Sequence, residues 1–172
     1  MTIKLISAVV IILGCGTCGI LKAWKYRERT EIIADFMQAT ERLRIEMNYR
    51  REDLPALFLR VSSTEKLSGR FFAKVSELYR QESFLSLPVC WQQAVDEVYR
   101  HHNLLAQDYI VIKELGEQLG SCGIEGQEHI MELILQRLKS LYLEAENERK
   151  TKGKMYLSLG FTAGITIVIL LI

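Results

Sequence analysis

The chain has 172 residues, 49% of them hydrophobic, and a formal net charge of +1, so it holds one ordinary domain and little else. From Thr30 to Glu148, 13 Lys and Arg stand against 20 Asp and Glu, an acidic middle that argues against nucleic acid as a partner. Of the four cysteines, Cys15 and Cys18 lie in an apolar run and Cys90 and Cys122 stand far apart, which is no disulfide framework and fits a reducing, cytoplasmic setting.

Leu5 to Leu21 and Met155 to Ile172 contain no charged residue. As helices they measure about 25 and 27 Å, close to the ~30 Å of bilayer hydrocarbon, and each is predicted to span a membrane. The second is densely apolar from Phe161 onward, whereas Gly14, Gly16 and Gly19 dilute the first; small residues of this kind let membrane helices approach closely. A rival reading takes Ile12-Leu13-Gly14-Cys15 as a loose lipobox, making the protein an exported lipoprotein-like binding module anchored at Cys15. Against it, Leu13 stands where a small residue is usual.

Basic residues collect beside both apolar segments: Lys22, Lys25, Arg27 and Arg29 after the first, Arg149, Lys150, Lys152 and Lys154 before the second. Because Lys and Arg near membrane ends stay on the cytoplasmic side, the middle of the chain is expected in the cytoplasm. These collars can also touch anionic lipid headgroups. The resulting division is a transmembrane helix over residues 1–24, a cytoplasmic helical bundle over 25–154, and a second transmembrane helix over 155–172.

Between the spans apolar residues recur at three and four, and no strand-like alternation competes, so the domain is predicted all-α. Thr30 to Tyr49 forms the first helix, with Ile32, Phe36, Ala39, Leu43 and Met47 on one face, and can continue the first span. After a turn at Arg50 to Asp53, Asp53 is placed to cap a short helix with Pro55 in its first turn. Ser62 to Thr64 break the chain before a third helix, Leu67 to Gln81. A fourth opens at Pro88 and carries Trp91, Ala94, Val95 and Val98. The fifth, Leu104 to Leu119, offers Leu105, Ile112, Leu115 and Leu119, with Gly120 as its stop. The sixth runs from Glu125 through Ile130, Ile134, Leu138, Leu141 and Ala145 and can pass unbroken into the second span. The whole reads as a six-helix bundle built as two three-helix halves.

Glu46, Asp108 and Gln127 interrupt apolar faces. An unpaired buried carboxylate costs several kcal/mol, so each either fixes helix register through a satisfied polar contact or faces a protein partner. Phe71, Phe72, Tyr79 and Trp91 at helical spacing read as core, and Glu144 to Lys150 as a solvated face. No cofactor or metal is expected: the histidines and cysteines lack zinc-ligand spacing, and no Gly-rich loop precedes Lys-Ser or Lys-Thr. Catalysis has no supporting constellation either, since His101 and His102 are adjacent and point apart.

Taken together, Lys154-Met155-Tyr156, Ser158-Leu159-Gly160 and the Gly164 to Ile172 tail resemble the closing signature of the stage III sporulation protein AB family. Tyr26-Arg27-Glu28-Arg29, Glu46 with Tyr49, Trp91 with Ala94, Leu105 with Asp108, Leu115-Gly116, and Leu119-Gly120 with Gln127 also match that family. Cys122-Gly123 departs from its usual Ser-Asp pair; an Asp there would cap the sixth helix, and Gly in its place costs only about a few tenths of a kcal/mol while lacking that polar contact. The resemblance implies a domain similar to the F-type platform protein of type II secretion systems. It further implies a scaffold in a secretion-like channel complex between mother cell and forespore. The partners so implied are the complex's ATPase and ring-forming components, at the mother-cell membrane facing the forespore, with homo-oligomer formation compatible.

Overall fold

The computed structural model describes the backbone of residues 2–49, 53–81, 85–121 and 124–171, and their side chains except for 2–9, 12, 120–127 and 171. Among these residues all regular secondary structure is helical, as expected from the periodicity: α1 (Thr2–Tyr49), α2 (Leu54–Val61), α3 (Leu67–Gln81), α4 (Leu87–Tyr99), α5 (Ala106–Ser121), α6 (Ile124–Glu148), a π-helical turn (Arg149–Gly153) and α7 (Lys154–Leu171). The chain divides into two compact units, one made of Met1–Thr30 with Leu143–Ile172, the other of Glu31–Tyr142.

The Glu31–Tyr142 unit is built around aromatic rings drawn from four helices. Phe36 of α1 stacks on Phe72 of α3 with centroids 6.1 Å apart and meets Phe71 edge-on at 5.8 Å. Phe58 of α2 and Trp91 of α4 cross at 65°, and Trp91 meets Phe71 at 5.0 Å and 83°. All five rings are fully buried, each worth about 1.5–3 kcal/mol in apolar burial, and the edge-to-face pairs add about 0.5–1.5 kcal/mol. Ile112, Leu115 and Leu119 of α5 and Met131, Ile134 and Leu138 of α6 extend the same core. Tyr79 is half-buried against it.

Trp91 also decides a glycine. Its indole N–H donates to the Ile112 carbonyl at 2.8 Å, which draws the ring onto α5 where a Cβ on Gly116 would lie 2.1 Å from Trp91 Cγ. Any side chain at Gly116 evicts the indole.

Side chains from other elements close two helix ends. The Asp35 carboxylate of α1 accepts the Ser68 N–H at the start of α3, at 2.9 Å, satisfying one of the orphan donors of a helix N-terminus. Tyr109 O–H donates to the Tyr99 carbonyl at the end of α4, at 2.7 Å.

Three local expectations change. Asp53 holds the position before α2, but its side chain makes no capping bond; its backbone carbonyl accepts instead from Ala56 and Leu57 N–H. Leu105 precedes α5 and is 45% exposed, because a residue ahead of the first turn does not share the helix face. α5 continues through Gly120 to Ser121, Leu119 being buried in the core; packing there outweighs the roughly 1 kcal/mol helix penalty of glycine.

Candidate membrane-proximal site

Within the terminal unit α1 and α7 lie antiparallel, and glycines set their separation. A Cβ on Gly19 would fall 2.7 Å from the Tyr156 carbonyl oxygen and 3.3 Å from Gly160 Cα, and one on Gly160 would fall 2.9 Å from the Cys15 carbonyl oxygen. Only residues without Cβ permit that approach, which exchanges side-chain volume for close backbone dispersion. The Phe161 ring covers Gly16, while Gly14 has nothing within 4 Å of where its Cβ would stand. Cys15 and Cys18 form no disulfide; the backbone of Cys15 serves the helix contact.

The register continues into the charged collar. Tyr26 and Tyr156 stack with centroids 6.0 Å apart and an interplanar angle of 15°, and the Tyr26 phenol is raised, first by desolvation and then by the neighbouring Tyr156. Arg29 is 3% exposed and donates to Glu148 at 2.8 Å, with Glu144 at 4.0 Å. It therefore sits apart from the exposed collar residues Lys22, Lys25 and Arg27.

Glu148 also accepts from Lys152, and Glu146 pairs with Arg149 at 2.8 Å and Lys150 at 3.2 Å. The Glu144 to Lys150 run is thus an ion-pair network, with Ala145 buried, rather than a plain solvated face. It runs directly into the π-helical turn Arg149–Gly153, a wider turn of the kind that appears mostly as a single-turn bulge within an α-helix.

Four collar cations, Arg27, Arg149, Lys150 and Lys154, gather at one groove of about 580 Å³. Lys22 lines a separate, apolar groove between the same helices, beside Cys18, Gly19 and Ala163. By length and composition, the helical stretch Glu128–Leu170 contains a window apolar enough to cross a membrane. The expected first span, Leu5 to Leu21, falls partly on side chains outside the described residues.

A sequence model of the family Stage III sporulation protein AB matches residues 4–172. The chain belongs to that family. Stage III sporulation protein AB of Bacillus subtilis (strain 168) is 28% identical to it over 171 residues, covering 98% of this chain and 99% of the relative. A solved structure of Stage III sporulation protein AB shares the fold with a TM-score of 0.64 at 22% identity, over 72% of this chain and 98% of that one.

The remaining candidates of this Stage III sporulation protein AB family chain lie in the Glu31–Tyr142 unit. Asp108 is 1% exposed, and its carboxylate accepts the Leu105 N–H at 2.8 Å. That is the return half of a capping box, a third-position acid satisfying the donor at the helix start. Glu46 is half-buried on α1, beside exposed Ile45 and Tyr49. The Gln127 side chain lies outside the described residues. Sequence reasoning missed the Arg29–Glu148 pair and the Gly19–Gly160 contact, because both join positions that nothing local connects.

Proposed function

We propose that this chain is a membrane-anchored scaffold of a sporulation-specific, secretion-like channel complex between mother cell and forespore, coupling a cytoplasmic ATPase to ring-forming membrane components. Its task is assembly rather than catalysis. The observation that carries the reading is the antiparallel pairing of α1 with α7 through Gly19 and Gly160. It gives both apolar ends one packed partner, with cationic residues following one helix and preceding the other, the arrangement of a two-helix anchor whose intervening chain stays in the cytoplasm.

In this reading residues 25–154 form a bundle of two three-helix halves, α1 to α3 and α4 to α6, sharing the aromatic core. Residues 1–24 and 155–172 cross the mother-cell membrane that faces the forespore. Glu46 and Gln127 are assigned to partner contact and Asp108 to fixing helix geometry. Self-association is compatible with this arrangement.

Capture of the full-length chain in detergent from sporulating cells is the test. The expected result is co-purification of an ATPase and ring-forming membrane proteins, and their consistent absence rejects the scaffold. A single cysteine at Glu65, in a chain without its native cysteines, should resist impermeant thiol reagents until the cells are opened. Labelling from outside intact cells overturns the topology.

A further inference from the structure

We propose that the groove between α1 and the π-turn–α7 segment is a binding site for one anionic phospholipid; this rests on the membrane reading above. The groove has a graded wall. Along α1 it passes from Ile20 through Trp24 to Arg27, and along the antiparallel partner from Phe161 through Leu157 to Lys154 and Lys150. Seven residues separate Ile20 from Arg27, and seven separate Phe161 from Lys154, about 10 Å each at helical rise. Because the two helices run in opposite directions, both walls change from apolar to cationic over the same distance and in the same sense. That matches the boundary between acyl chains and headgroups, where Trp is enriched.

The volume of about 580 Å³ lies within the roughly 300–1,000 Å³ of small-molecule sites, enough for a headgroup phosphate and the first part of its acyl chains. Arg149 and Lys150 share one carboxylate, Glu146, so the rim keeps a cationic excess for a phosphodiester. The π-turn contributes both of these cations, and Gly153, buried in the same turn, keeps the groove floor free of a side chain.

Trp24 is 56% exposed and Trp91 is fully buried, so brominated lipids quench Trp24 selectively. The full-length chain is reconstituted in phosphatidylcholine vesicles holding a minority of phosphatidylglycerol. Bromine is carried on the phosphatidylglycerol in one set and on an equal amount of phosphatidylcholine in the other. The expected result is roughly threefold or greater excess quenching by the anionic lipid, since each nearby Lys or Arg is worth roughly fivefold in affinity for an anionic surface. The excess should disappear in Lys150→Gln with Lys154→Gln and survive in Lys22→Gln with Lys25→Gln, which removes the same charge outside this groove. Equal loss in both pairs, or no excess in the parent, overturns the lipid site while leaving the anchor intact. Absence of quenching by either lipid instead rejects the membrane reading itself.

Discussion

Arg29 and Glu148, 119 positions apart in sequence, meet at 2.8 Å with the arginine almost wholly buried. A buried guanidinium without its carboxylate is costly, on the order of 3–5 kcal/mol when fully enclosed. Glu148 is partly exposed and Glu144 stands 4.0 Å away, so Glu148→Gln should cost less, about 2 kcal/mol. Denaturation in detergent checks this, and a double-mutant cycle with Arg29→Met should return a positive coupling.

The same pair carries a pH dependence. The Glu148 carboxyl is held below its ordinary 4.5, first by the Lys152 hydrogen bond, opposed by partial burial, and then by the charges of Lys152 and Arg29. A lowered folded value means the stabilisation is complete above the ordinary value and lost as pH falls through the lowered one. The denaturation midpoint should therefore drop on acidification, and Glu148→Gln should flatten that drop.

Gly14 and Gly19 make a matched pair of tests. Gly19→Ala places a methyl 2.7 Å from a backbone oxygen, whereas Gly14→Ala meets nothing within 4 Å. Forced separation of packed helices costs about 1–3 kcal/mol. A thermal midpoint lowered by the first substitution and unchanged or raised by the second is expected.

Gly116→Ala should be damaging, because the clash is with the buried Trp91 ring rather than a flexible tip. About 2 kcal/mol or more is expected, combining overpacking with loss of the indole bond to Ile112. Tryptophan emission, shifted to the red in the native state, reports the displaced ring.

These predictions rest on contacts of different legibility. Helical periodicity located α3 at about Leu67 to Gln81, and Phe71, Phe72 and Trp91 were readable as core because other apolar residues recur three and four positions from them. Asp108 was recognisable as an anomaly but not as a cap. Its spacing from Ile112 suggested a face, while its actual bond is to a backbone N–H three residues earlier. The basic collars were visible as a composition. Which members gather at the Trp24 groove and which, like Arg29, turn inward depends on a helix pairing across more than a hundred residues, for which a single sequence carries no local signal.

Tyr99 offers a test from the opposite end of the pH scale. Its hydroxyl meets no hydrogen-bond partner among the described residues, and burial first, then the Asp35 charge, pushes its phenol well above 10.0. A raised folded value means stability is kept below about 10 and lost as pH rises from there through the raised value. Tyr99→Phe should remove that alkaline loss, and by deleting an unsatisfied buried polar atom it should leave neutral stability equal or higher by up to about 1 kcal/mol.

The contact of Gly19 with Gly160 also orders events during synthesis. Translation must pass position 160, and the ribosome must release that stretch from its exit tunnel, before the early helix can meet its match. Until then the early helix lacks its partner, while the aromatic bundle has nearly all its strand of polypeptide available. Closure of the helix pair accordingly follows synthesis of the intervening bundle, and any slowing of translation ahead of position 160 lengthens the time for which the first apolar segment lacks its match.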